Sequence, residues 1–208
     1  YALVDAISEA IGSGDIFVPG SSGACSEVAM QAFKSKQGVR VFNSEGMGPM
    51  GFGISAALGG CVASGGRRTI CIDGDGGFAM NTQELETIRR LNLPVKFFVL
   101  DNDGYASIRA TQKTYFNSRF YGSTEEGGLT LPKLEKIASA YGIQFMEINT
   151  SEDIKNKVEE SFKLDKPVIC RVNVSCSQIT SPRVTSRQTV DGSMETAPMD
   201  EMWPDIHN

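Results

Sequence analysis

Two short stretches of the 208-residue chain gather carboxylates, amides and glycines in a way that suits a hydrated cation beside a phosphate. The apolar run Thr69-Ile70-Cys71-Ile72 leads into Asp73-Gly74-Asp75-Gly76-Gly77. Glycines let the backbone approach a bulky anion and turn its N–H groups toward it, while one carboxylate can hold a divalent cation that offsets phosphate charge. Asp75 is the candidate for that carboxylate. Further on, the apolar run ending at Leu100 meets Asp101-Asn102-Asp103-Gly104, a second oxygen-rich turn. Mg²⁺ keeps near-octahedral oxygen coordination and takes few protein ligands besides phosphate, so two such turns brought together would supply them. Other readings of the same residues stay open. Gly74-Asp75-Gly76 alone is also an ordinary tight turn, and Asp101 and Asp103 are equally polar turn groups. A degenerate calcium loop running from Asp73 to Glu84 fits poorly, because Phe78 stands where the central glycine is required and a strand precedes it instead of a helix.

Several other chemistries are excluded by composition. His207, the single histidine, sits almost at the end, which removes histidine-based acid–base or nucleophilic catalysis. The five cysteines show no CxxC spacing, and Cys71 and Cys170 lie in apolar runs as small core residues, so a thiolate metal site is not expected and a reducing, cytoplasmic setting is. The net charge of −5, with Lys and Arg scattered, lacks the positive field that nucleic acid requires. No apolar run approaches bilayer length, and no secretory leader pattern opens the chain, so neither membrane nor export is expected. A Mg²⁺-dependent phosphate-handling enzyme is disfavoured, since neither GxxxxGK(S/T) nor a Lys/Arg cluster flanks the carboxylates.

Apolar runs alternating with segments of helical period indicate an α/β fold with a doubly wound, mainly parallel six-stranded sheet and helices on both faces. The strands are read at Asp15–Pro19, Val39–Asn43, Thr69–Asp73, Val95–Leu100, Ile143–Ile148 and Val168–Val174. Asn81-Thr82-Gln83-Glu84 has the form of a capping box before Leu85, Ile88 and Leu91, with Pro94 as the stop. Leu134, Ile137, Ala138 and Tyr141 share a face, and Gly142 is placed to end that helix. Ser151 is the expected cap of a helix burying Ile154, Val158 and Phe162. From Gly48 to Ser64 the chain is small and apolar on nearly every side, which predicts a buried helix. Tyr1-Ala2-Leu3-Val4 already looks like the interior of an amphipathic helix, as in a piece of a longer polypeptide. Residues 1–176 form the predicted domain. Residues 177–208 lose periodicity and read as an irregular tail packed on or near it. In such sheets ligands bind beyond the carboxyl ends of the strands, where both oxygen-rich turns fall.

At these residues the chain resembles thiamine diphosphate enzymes of the acetolactate synthase type, and in particular their C-terminal pyrophosphate-binding domain. The resemblance rests on Gly74-Asp75-Gly76 and Asn102, and extends through Phe78, Met80-Asn81, Gln83-Glu84-Leu85, Thr87-Ile88, Leu93-Pro94-Val95-Lys96 and Val99-Leu100. It implies that Asp75 and Asn102 bind Mg²⁺ by side chain and Gly104 by its carbonyl. By the same likeness Gly74, Asp75, Gly76, Gly77, Asn102, Gly104, Tyr105, Ala106 and Ser107 would line the cofactor. The segment Gly46-Met47-Gly48-Pro49-Met50-Gly51-Phe52-Gly53 is similar to the stretch that lies against the thiazolium, which implies contact from Gly48 and makes Met50 the apolar wedge that bends the cofactor. By default Met50 is a core methionine. Gly20, Ser21 and Ser22 match the loop that touches the diphosphate, although the same residues suit a turn that caps a helix beginning near Ala24.

The resemblance implies decarboxylation of a 2-keto acid, pyruvate above all, and transfer of the two-carbon unit to a carbonyl acceptor. A simple keto acid decarboxylase or lyase, or a non-catalytic regulatory or assembly module on the same fold, are the alternatives. The family places Gly-Met and a Trp shortly after the Asn, where this chain has Ala106-Ser107 and Thr111, so substrate and acceptor do not carry over. No catalytic residue is assigned within this chain. The activating glutamate belongs in the family to a pyrimidine-binding domain, which the same or another chain would supply, in a homodimer or homotetramer. FAD, where the complete protein uses it, has no site in this chain.

Overall fold

The nearly continuous apolar runs become the strands of one sheet in the computed structural model, which describes residues 1–20, 23–44, 46–178 and 180–204. β1 (Ile16–Pro19), β2 (Arg40–Val41), β3 (Thr69–Gly74), β4 (Val95–Asp101), β5 (Gln144–Ile148) and β6 (Val168–Asn173) lie in the order β2-β1-β3-β4-β6-β5. Every neighbouring pair is parallel, so the mainly parallel sheet is parallel throughout. β2 is shorter than the run 39–43 suggests, because it is an edge strand bonded only to β1 over two rungs.

Alternation along each strand sends side chains to two separate cores. Val95, Phe97 and Val99 of β4 pack with α3 (Phe52–Ala63), α5 (Glu84–Arg90) and α7 (Leu134–Tyr141). Phe98 points the other way, among residues of α1 (Ala2–Ala10), α2 (Glu27–Ala32) and α8 (Ile154–Phe162). Phe98 is fully buried, a contribution of about 2–3 kcal/mol from one side chain. Helices therefore cover both faces, as the runs of apolar residues require. β1 lies between β2 and β3, so the winding reverses there, and the crevice beyond β1 and β3 is where such sheets bind ligands.

The chain divides into two compact units, Tyr1–Cys176 and Ser177–Asn208. In the second, β7 (Ser186–Gln188) and β8 (Met194–Thr196) form an antiparallel hairpin, which corrects the expectation of an irregular tail. Its turn is fixed by Asp191, whose Oδ1 accepts from the Thr189 hydroxyl and from the Ser193 N–H and hydroxyl, and by Gly192 at φ +86°. Asp-Gly between extended segments was the overlooked signal.

Three helix details also differ from expectation. The capping box at 81–84 does not form: α5 begins at Glu84 with no side-chain cap, because Asn81 Oδ1 accepts from Gln83 Nε2 at 3.0 Å while its Nδ2 donates to Gly51 O at 2.9 Å. α8 starts at Ile154 behind Asp153 rather than being capped by Ser151, and Thr150 holds Asp153 through a 3.0 Å hydroxyl bond. α3 buries one face, Gly53, Ile54, Ala57 and Cys61, and leaves Val62 exposed, so it is not enclosed on all sides. α7 ends as expected at Gly142, whose φ of +64° is left-handed. No described helix is long and apolar enough to cross a membrane.

Candidate functional site

β3 and β4 run in register, Asp73 beside Val99 and Gly74 beside Leu100, so the chain leaves both strands at the same level. Asp75 opens the short helix α4 (Asp75–Ala79) and is 7% exposed. Its Oδ2 accepts from Gly104 N at 2.9 Å and from Asn102 N at 3.4 Å, and its Oδ1 from Gly76 N at 2.8 Å. The two oxygen-rich turns thus meet at one carboxylate. Burial pushes the Asp75 carboxyl up to about 6, a rise opposed by the N–H groups of Gly104 and Gly76 and increased by Asp101. Among the described residues no Lys or Arg forms an ion pair with it. A carboxylate desolvated among backbone amides, beside a turn that carries an amide side chain and backbone carbonyls, offers oxygen donors of the kind a hard divalent cation prefers.

Glycines report how tightly the surroundings close. A methyl group on Gly76 would strike the Tyr105 ring and approach Met50 Cε to 3.2 Å, so both side chains converge on the backbone beside Asp75. Gly104, at φ +125°, has no room either, since a methyl there would lie 2.8 Å from Ser123 O. Gly20 packs against β3, its N–H bonded to Ile72 O at 2.6 Å and its missing Cβ 2.7 Å from Asp73 Oδ1. Gly53 faces the other carboxylate oxygen of the buried Asp73, so this aspartate is enclosed by the loop after β1 and the start of α3. A methyl on Gly23 would come within 2.7 Å of Ser107 Oγ, which brings the β1 loop against α6 (Ala106–Tyr115).

The structure therefore brings Gly20, Met50, Gly74, Asp75, Gly76, Asn102, Gly104, Tyr105, Ala106 and Ser107 to the carboxyl edge around β1, β3 and β4. Ala106 N donates to Gly104 O at 3.1 Å. Gly77 is buried within α4, and Gly48 lies in the loop before α3, its N–H bonded to Ser44 O. Ser21, Ser22 and His207 lie outside the described residues.

Sequence reasoning missed Arg109, which donates to Asn102 O at 2.8 Å, Asn102 Oδ1 at 3.3 Å, Asp103 O at 3.0 Å and Ser123 O at 3.3 Å. The signal was an arginine on the first turn of the helix that follows the Asn turn. Sequence reasoning read Asn81 as a helix cap and missed its tie from the segment before α5 to Gly51 O, beside Met50, and to Ser55 Oγ of α3. Cys25 lies beneath the site. Burial, then Asp73 and Asp75, raise its thiol well above the ordinary range, which keeps it protonated and unreactive.

A family model for the thiamine pyrophosphate enzyme, C-terminal TPP binding domain, matches residues 21–172. The acetolactate synthase large subunit of Cyanidium caldarium is 33% identical over 156 residues, which are 75% of this chain and 26% of that protein. The acetolactate synthase isozyme 2 large subunit of Escherichia coli (strain K12) is 35% identical over 131 residues, 63% of this chain and 23% of that protein. The mitochondrial acetolactate synthase of Schizosaccharomyces pombe is 33% identical over 141 residues, 68% of this chain and 20% of that protein. The chain spans about a quarter of the length of these curated relatives.

Proposed function

The chain belongs to the thiamine pyrophosphate enzymes, as a C-terminal TPP-binding domain, and we propose that it anchors thiamine diphosphate through Mg²⁺ in an acetolactate synthase-like enzyme. That enzyme would decarboxylate a 2-keto acid, pyruvate in the first instance, and pass the two-carbon unit to a carbonyl acceptor. The observation that carries this reading is the convergence of both strand-end turns on the buried Asp75 carboxylate, with which no described Lys or Arg forms an ion pair.

In this reading the Asp75 carboxylate, the Asn102 side-chain oxygen and the Gly104 carbonyl would hold the cation. The glycine backbone at 74–77 and the loop at Gly20 would lie along the diphosphate, with N–H groups as donors. When bound, thiamine diphosphate supplies an electron sink for breaking and making carbon–carbon bonds next to a carbonyl. The chain's own part is to orient and to exclude water. Met50 and Tyr105, closing on Gly76, form the apolar support that would keep the cofactor bent and the site dry.

α6 buries none of its residues within this chain, and Ile108, Tyr115, Phe116 and Tyr121 are exposed on it or just after it. That exposed apolar surface, adjoining the site, supports a pyrimidine-binding domain as its cover, from the same polypeptide or a second copy in a homodimer or homotetramer. Isothermal titration of the complete protein with thiamine diphosphate and Mg²⁺ tests the reading, with Mg²⁺-dependent binding expected and absence of binding ruling it out. A keto acid screen then sorts the chemistry. CO₂ release with a new carbon–carbon bond supports the synthase-like enzyme, release alone indicates a simple decarboxylase or lyase, and binding without release indicates a non-catalytic module.

A further inference from the structure

We propose that Arg109 is a positioning residue that, with Gln112 and Ser123, locks the Asn102–Gly104 turn into its cation-binding shape before any ligand arrives. The inference rests on the Mg²⁺–diphosphate reading above for what the turn binds, and on this chain's own hydrogen bonds for how the turn is held.

α6 has no buried residue to fix it by apolar packing, yet it begins directly after the turn. Polar bonds do that work. Arg109 and Gln112 are three residues apart and so share a helix face. The Arg109 guanidinium spans the turn, taking Asn102 O, Asn102 Oδ1 and Asp103 O, and reaches across to Ser123 O. Ser123 is fully buried; its hydroxyl donates to Gln112 Oε1 at 2.6 Å, and its carbonyl also accepts from Tyr105 N at 3.3 Å. Gln112 Nε2 in turn donates to Tyr121 O at 2.9 Å. The loop at 121–123 is therefore folded back as a strap over the turn.

Two consequences follow for the donor set. Asp103 at φ +60° holds a left-handed backbone conformation that is costly for a residue with a side chain, and the clamp retains it. The guanidinium also fixes the Asn102 amide with its oxygen oriented, leaving that oxygen's second lone pair for a cation. Organising the turn in advance removes an ordering cost from ligand binding.

The test compares wild type with Arg109→Met, Arg109→Lys and Ser123→Ala in the complete protein. It uses amide hydrogen exchange without ligand and titration of Mg²⁺ at fixed thiamine diphosphate. Arg109→Met should speed exchange at the 102–105 amides and raise the half-saturating Mg²⁺ concentration by roughly tenfold, the size seen when groups that orient metal ligands are removed. Arg109→Lys should recover part of both, since it restores the charge but not the fork. Ser123→Ala should move both in the same direction by less, with the thermal midpoint little changed. Unchanged exchange in Arg109→Met overturns the clamp, and so does a lower Mg²⁺ requirement, which would make the guanidinium a competitor of the cation. Were wild type to bind no cofactor, the Mg²⁺–diphosphate reading would fall, while the exchange data would still decide whether Arg109 holds the turn.

Discussion

Asp15, at the amino edge of the sheet, and Asp75, at the carboxyl edge, are each 7% exposed, yet the molecule treats their charges in opposite ways. Asp15 is gripped by Arg68, with Nε at 3.0 Å from one carboxylate oxygen and an amino nitrogen at 2.5 Å from the other. Arg68 also stacks 4.5 Å from the Phe162 ring and donates to Phe162 O, which ties the strand edge to the end of α8. Lys96 completes that edge, fully buried, with Nζ donating to Leu164 O at 2.6 Å and to Lys166 O. Asp75 has backbone amides for partners and no ion pair among the described residues. Burying a charge is costly unless it is compensated, so Asp15 has its countercharge within the fold, whereas Asp75 has none among the described residues, the difference that the proposed cation site turns on.

Removing the carboxylate at the open edge should have the largest effect on binding. Asp75→Asn should lower Mg²⁺-dependent thiamine diphosphate affinity by about a thousandfold, close to 4 kcal/mol, in calorimetric titration, while far-ultraviolet circular dichroism stays unchanged. An affinity within threefold of wild type would erase the distinction between the edges. The matching change at the closed edge should act on the fold. Asp15→Asn leaves Arg68 without its anion and should cost about 3 kcal/mol in denaturant unfolding, toward the low end for buried pairs because Arg68 keeps 29% of its side chain in solvent. Cofactor affinity of the folded variant should equal that of wild type.

The sequence makes the open edge more legible than the closed one. Asp75 and Asn102 stand at the carboxyl ends of apolar runs, so strand reading alone puts them at one edge, and the register of β3 and β4 brings them to one level. Arg109 and Ser123 are fourteen apart in sequence and meet only because the 120–129 loop folds back, which no local pattern encodes. The same holds for Asn81, whose side chain looks like part of a capping box but is drawn thirty residues away to Gly51. Gly53 is legible only as one small residue of the apolar run 48–64, and its actual constraint, the buried Asp73 carboxylate, is a tertiary contact. Local rules thus recovered the elements whose cause is local, such as α7 and its terminal Gly142, and not the bonds that draw side chains across the edge.

Lys96 sharpens the comparison through pH. Burial, then the nearby Arg68 charge, lowers its ammonium from the ordinary 10.5 to about 8. Between those values the unfolded chain binds more protons than the folded one, so Lys96 makes the fold more stable as pH rises, and the penalty for its charge is complete once pH has fallen below about 8. From pH 8 to pH 10 the stability of wild type relative to Lys96→Met should rise by roughly 2 kcal/mol, measured by urea unfolding at each pH. A flat difference would show that the carbonyls of Leu164 and Lys166 stabilise the ammonium fully.

The smallest effect separates the glycines of the two edges. Gly142, just before β5 at the amino edge, needs its left-handed φ of +64° but has open space around it, an added methyl reaching only Arg89 Cδ at 3.8 Å. Gly142→Ala should therefore cost about 1 kcal/mol, the backbone strain alone, read as a drop of a few degrees in thermal midpoint with cofactor affinity unchanged. Gly104 at the carboxyl edge combines φ of +125° with contacts of 2.8 Å to Ser123 O and 2.9 Å to Leu129 Cδ2, so the same methyl must displace the strap that holds the turn. Gly104→Ala should lose Mg²⁺-dependent affinity along with stability, whereas Gly142→Ala loses stability only. If the two alanine variants changed affinity equally, crowding at Gly104 would have no bearing on ligand binding, and the carboxyl edge would be no more specialised than the amino one.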